Sequence, residues 1–168
     1  MDAFLIDVET IKELGYVNKS VDAEMVSVTL RRVQDSMLMP ILGTSFYDRL
    51  QTGVDDNDLT ADETSLLQNY ITPFLVAAVD FRIINPLTYE IRSKTVGLAR
   101  DEHITPISMA ENNLIKDDLS KDCEVYRTRL IGYLKDNCTL FTTYNEYLCS
   151  FENVAPDTGE TRTRIRFI

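Results

Sequence analysis

From Phe74 to Ile84 the side chains are apolar on nearly every side of a helix, and that stretch decides what this chain can fold into. Leu67, Ile71, Phe74, Ala78 and Phe81 recur at helical spacing. Leu66, Tyr70, Leu75, Ala77, Val79, Ile83 and Ile84 widen the face until little is left for water. A helix of that kind belongs in the middle of a core, with other helices or sheets packed around it. Thr60 and Glu63 have the spacing of a capping box, which starts it. Pro73 should kink or split it near Tyr70, and Asn85-Pro86 should end it.

The flanking segments read as further helices. Glu9 to Leu14 makes one or two turns closed by Gly15. Ser20 is expected to cap a helix whose stripe is Val26, Leu30, Val33 and Met37, ending before Pro40. Gly43 makes a turn, and Thr44 should cap a short helix carrying Phe46, Tyr47 and Leu50. Ser108 and Glu111 form a second capping box, opening a helix with no breaker until about Asn137. Its stripe is Ile115, Leu119, Cys123, Tyr126, Leu130 and Tyr133. Roughly 30 residues at 1.5 Å each reach about 45 Å, so part of it is expected to project or to line a neighbour. Phe141, Tyr144, Tyr147, Leu148 and Phe151 make an aromatic cluster near its end.

Two segments break the helical pattern. Residues 87–107 are β-prone around Thr88 to Ser93, with Gly97 suggesting a turn, and fit a hairpin or an irregular excursion. At the end of the chain Arg162, Arg164 and Arg166 alternate strictly with Thr163, Ile165 and Phe167, and Ile168 is last. On an extended strand the arginines face one way and the apolar residues the other. A lone strand leaves its backbone polar groups unpaired. It therefore needs a hairpin in its own domain or an edge on another subunit. The expected class is mainly α: a helical bundle with a long C-terminal helix, a small extended or β-hairpin insertion, and a C-terminal β-strand arm. Residues 1–151 form the domain, with its insertion at 87–107, and residues 152–168 the arm. At 168 residues one such domain buries roughly 70% of its unfolded surface.

Charge and residue inventory exclude more than they suggest. The net charge is −10, and Asp55, Asp56, Asp58, Asp62 and Glu63 crowd one segment. Duplex DNA is repelled by such a surface, which argues against a sequence-reading DNA binder. Asp55, Asp56 and Asp58 are either a solvated loop or, in an assembly, a surface that DNA passes without sticking. No apolar run is expected to reach the roughly 20 residues of a bilayer span, and the acidic N-terminus does not look like a secretion signal. Cys123, Cys138 and Cys149 lack metal-ligand spacing and read as reduced thiols of a cytosolic setting. His103 is the only histidine and sits in a loop without nucleophile-elbow context. Zinc and phosphate motifs are missing, and the pairs Asp117-Asp118 and Asp55-Asp56 lie in strongly polar surroundings and read as solvated surface. No catalytic residue, cofactor or metal is expected.

Three stretches carry a resemblance. The run Ile41-Leu42-Gly43-Thr44-Ser45-Phe46-Tyr47-Asp48-Arg49-Leu50 resembles a signature of head–tail connector (adaptor) proteins of tailed bacteriophages. So do Leu66-Leu67 with Tyr70-Ile71, Pro73 and Ala77-Ala78, and the late helix through Tyr126, Arg129-Leu130, Tyr133-Leu134 and Asn137. Their order and spacing extend the likeness over roughly residues 5 to 150. The nearest likeness is to connectors from phages of Bacteroidetes hosts, including the crAss-like group. One departure is Lys94-Thr95-Val96-Gly97, where the pattern has a lysine directly before the glycine.

The resemblance implies a helical subunit of a dodecameric ring beneath the portal, located in the virion at the head–tail junction after synthesis in the host cytoplasm. The ring extends the DNA channel without sequence-specific contact and offers a platform to other neck or tail proteins. Neither catalysis nor a membrane is implied. Gly43 to Leu50 and Tyr126 to Tyr133 take structural roles. Arg162, Arg164, Ile165, Arg166, Phe167 and Ile168 are the candidate inter-subunit arm. The alternatives are a tail terminator or other neck protein, and, in a different class, a cytoplasmic helical module that binds one partner. An enzyme acting through His103 or paired acids ranks third.

Overall fold

A computed structural model describes residues 4–17, 19–92, 95–98, 109–141 and 143–144. The chain is mainly α-helical. Its elements are α1 (Val8–Leu14), α2 (Ala23–Val33), α3 (Met39–Leu42), α4 (Thr44–Asp55), α5 (Ala61–Leu66), α6 (Thr72–Thr88) and α7 (Met109–Asp136), with a short 3-10 turn at Cys138–Leu140. Between α6 and α7, β1 (Tyr89–Arg92) and β2 (Thr95–Leu98) pair antiparallel, Tyr89 opposite Leu98 and Arg92 opposite Thr95. Gly97 pairs with Glu90 inside β2 and is not the turn expected from its composition.

Helix α6 is the centre of the bundle and packs against both α2 and α7. Every residue from Phe74 to Asp80 is buried, which is what a stretch apolar all round requires. By length and hydropathy the continuous helix Ala61–Leu87 would suffice to cross a bilayer, contrary to the sequence expectation; here half of its most apolar window is buried within the bundle. Only the C-terminal half of α7 joins this core, through Cys123, Leu130, Ile131 and Leu134. The expected stripe thins toward the N-terminus, where Ile115 is 45% exposed.

Neither Pro40 nor Pro86 ends a helix. Pro86 lies inside α6, and Pro40 lies in α3, which continues α2 through a π turn at Gln34–Leu38. A second π turn, Leu67–Ile71, joins α5 to α6 just ahead of Pro73. The two share one arrangement. The residue before each proline donates its N–H five residues back, Met39 to the Gln34 carbonyl and Thr72 to the Leu67 carbonyl. Thr72 Oγ1 donates to the same carbonyl at 2.9 Å. A proline cannot donate a helical hydrogen bond and its ring crowds the carbonyl four residues back; widening the turn upstream lets the helix run on.

Each π turn also inserts one residue and rotates the buried stripe by about 100°. Val26, Leu30 and Val33 are fully buried as expected, but the next core residue is Leu38, and Met37 is only half-buried. Likewise Leu66 and Ile71, five apart, are both fully buried, whereas Leu67 is half-buried.

The caps differ in part from the sequence reading. Asp22, not Ser20, caps α2 through Glu24 N–H. Gly43 (φ 78°), not Thr44, precedes α4. Asp7 caps α1, and Thr60 and Glu63 form the expected capping box. Ser108 lies outside the described residues, as do His103, Cys149, Tyr147, Leu148, Phe151, the remainder of the 87–107 insertion and the whole 152–168 arm.

Candidate functional site

The acidic segment is more ordered than a solvated loop. Asp55 is the last residue of α4, Asp56 its C-cap, and Asn57 turns the chain at φ 53°. Asp58 then meets Arg49, whose Nη1 lies 3.6 Å from its carboxylate and whose Nη2 donates to its carbonyl at 2.6 Å. The same guanidinium grips Glu63, Nε to Oε1 at 3.2 Å and Nη2 to Oε2 at 3.0 Å. Glu63 Oε2 also accepts Thr60 N–H at 2.8 Å, completing the capping box. Arg49 therefore ties α4, the turn and the start of α5 into one unit. Asp55, Asp56 and Asp58 remain exposed at its tip.

Other residues of the Ile41 to Leu50 run serve the core. Ile41, Leu42, Phe46 and Leu50 are buried, and Phe46 packs on Phe141 (5.3 Å) and Tyr144 (5.9 Å). Tyr133 stacks on Tyr70 at 4.0 Å, so the C-terminal end of α7 is held by aromatic contacts. Tyr47 Oη accepts Gln34 Nε2 and Gln51 Nε2, each at 3.1 Å, and Gln34 Oε1 accepts Leu5 N–H. Burial pushes the Tyr47 phenol up to about 12. These groups are structural.

The described residues hold no cluster of three metal-ligating side chains. Cys123 and Cys138 are free thiols, and burial pushes Cys123 up to about 11, where it stays a thiol.

A concave surface lies elsewhere, on the seam between α6 and α7. A cleft of about 770 Å³ is walled by Val17, Ile83, Ile84, Leu87 and Leu119, with Asp118 and Asp122 on its rim. A second cleft of about 430 Å³ continues it past Tyr16 toward Pro73 and Tyr126. Both share Tyr16, Asp80, Leu119 and Asp122, so they form one trough. Its lining on α7 runs from Ile115 to Tyr126, a length of about 16 Å. Large apolar groups stand exposed along it: Tyr16 at 81%, Leu14 at 65% and Leu87 at 42%.

Asp80 forms the floor, and sequence reasoning missed it. Both its oxygens accept Tyr16 N–H, at 3.1 and 3.0 Å. Burial raises its carboxyl above the ordinary 3.8, while hydrogen bonds from Tyr16 and Val17 N–H oppose that rise. Gly15 is required here: a Cβ would sit 2.9 Å from the Asp80 carboxylate and 2.8 Å from the Ile11 carbonyl. The carboxylate thus fastens the α1–α2 connection across the core helix and sets the trough's near wall. The signal for it was a lone acid inside the apolar run Phe74 to Ile84.

The candidate arm residues Arg162, Arg164, Ile165, Arg166, Phe167 and Ile168 lie outside the described residues. A family described as one of unknown function, DUF6712, matches residues 38–150, and the chain belongs to that family. No curated protein and no solved structure matches it significantly.

Proposed function

We propose that this DUF6712 chain is a structural virion protein, the subunit of a ring between the capsid portal and the tail of a tailed bacteriophage. The ring extends the DNA channel and docks further neck or tail proteins. The observation that carries this reading is the apolar surface on α7 and its surroundings. Leu114 (66%), Ile115 (45%) and Val125 (58%) stand exposed on α7, Ile115 within the trough itself, and exposed apolar groups of that size along a concave seam fit a protein contact. The resemblance of the Ile41 to Leu50 run adds to it, and its three stretches all fall within residues 38–150. In this reading the 87–107 insertion, with its hairpin, and the 152–168 strand arm make contacts between proteins. Asp55, Asp56 and Asp58 face the channel, where negative charge keeps passing DNA from sticking. The reading assigns no catalytic role.

Incubation with a cognate phage portal protein, scored by negative-stain imaging, tests it. Rings stacked on the portal are expected. Deleting residues 152–168 should abolish stacking and leave the helical circular-dichroism signal nearly intact. A chain that binds one partner at one-to-one stoichiometry and never stacks on the portal supports the helical interaction module instead.

A further inference from the structure

We propose that the α6–α7 trough receives residues 161–168 of a second copy of this chain. The inference rests on the ring-building reading and names the contact that would close each subunit onto its neighbour.

Charge is the first argument. The chain carries a net −10, yet its last eight residues hold three arginines and no acid. The trough offers the opposite pattern: apolar walls, the Asp80 carboxylate at its floor, and Asp118 and Asp122 on its rim. Lys121 is the cation on that rim, and it already pairs with Asp118 at 3.0 Å.

Spacing is the second. Asp118 and Asp122 are four residues apart on a helix, about 6 Å along its axis. Arg164 and Arg166 are two apart, about 6.7 Å along an extended chain. Two arginines on an extended arm would therefore match the two carboxylates in register, with Ile165 and Phe167 on the arm's opposite face, turned to Ile83 and Leu87 of α6. Five of the eight residues, 163–167, span about 16 Å when extended, the length of the trough along α7, and the others reach past its ends.

A second copy is the donor that the ring-building reading calls for, and Tyr16 and Ile115, 81% and 45% exposed, are surface that its arm would cover. Where each subunit gives one arm and receives one, the contact is head-to-tail, which closes into a ring when the rotation permits.

Placing photoreactive benzoylphenylalanine at position 167 of the full-length chain tests the contact. Isotopically heavy and light chains are mixed before irradiation, and crosslinked peptides are read by mass spectrometry. The expected product joins position 167 of one chain to residues 83–87 or 115–122 of the other. Reversing the rim with Asp118→Lys and Asp122→Lys, both exposed positions, should cut the yield roughly tenfold. Adding Arg164→Glu and Arg166→Glu should restore it. Crosslinks confined to one chain, crosslinks to other surfaces, or no crosslink between chains would each overturn the proposal. Light scattering separates the two readings. Arm docking without a closed ring refutes the ring and keeps the contact, whereas portal-stacked rings with crosslinks elsewhere refute the contact and keep the ring.

Discussion

Replacing Arg49 by methionine should loosen the turn that carries the acidic tip. The methionine keeps much of the aliphatic stem and deletes the guanidinium. Glu63 then has a side chain only 9% exposed and, of the donors described above, retains Thr60 N–H. Stripping one partner from a buried ion pair costs roughly 3–5 kcal/mol. Arg49 is itself 28% exposed, so solvent screens the pair and the retained cap softens the loss. Roughly 2–3 kcal/mol remains, which in a domain of this size lowers Tm by about 5–10 °C. Thermal unfolding followed by circular dichroism measures it. Removing the buried charge as well, with Glu63→Gln on the Arg49→Met background, should recover part of the loss. The double variant then loses less than the sum of the single ones, by roughly 1 kcal/mol or more. A shift under about 1 °C for Arg49→Met, or strict additivity in the double variant, would refute the claim that Arg49 holds the turn through Glu63.

Asp80 sets a pH dependence of definite sign. Its folded carboxyl sits above 3.8, so its contribution is fullest below 3.8 and declines as pH rises through the folded value. Urea unfolding at stepped pH should show that slope in the native chain and not in Asp80→Asn; an unchanged slope in the variant sinks the assignment. Asp7 acts oppositely, since hydrogen bonding to Thr10 holds its carboxyl below 3.8. Its stabilisation is present above 3.8 and lost as pH falls through the folded value, and Asp7→Ala should cost about 1 kcal/mol near neutrality. A Cβ on Gly132 meets nothing within 4 Å, so Gly132→Ala should stabilise by about 1 kcal/mol, read as a Tm gain of about 2–4 °C. Cys123, buried and held as a thiol, should resist iodoacetamide at neutral pH until the chain unfolds; rapid labelling of the native protein would contradict its placement.

What the residues disclose in advance follows from how local the physics is. The burial of Phe74 to Val79 was legible because no helix could hide those side chains except in a core. The Thr60–Glu63 box was legible because both hydrogen bonds close within three residues. The same reasoning misplaced Met37 and Leu67, since a strict 3.6-residue period does not anticipate the residue each π turn inserts. It also ended helices at Pro40 and Pro86, because steric rules describe proline in an unmodified α-helix. The Arg49–Glu63 grip joins residues fourteen apart in sequence, and no periodicity encodes it. The trough is assembled from α1's exit, α6 and α7, so it exists only once those surfaces meet. Asp80 is the single acid between Phe74 and Ile84, a signal passed over because its partners, the N–H groups of Tyr16 and Val17, lie far up the chain.

The two widened turns ahead of Pro40 and Pro73 have an architectural result. Because each proline bars an ordinary helical bond at its own position, the surplus residue is trapped upstream and cannot slide along the rod. One uninterrupted helix can then address two sets of neighbours from different compass bearings, with the change of heading pinned to a fixed place. Shortening either segment by a single residue would turn everything beyond it away from its partners.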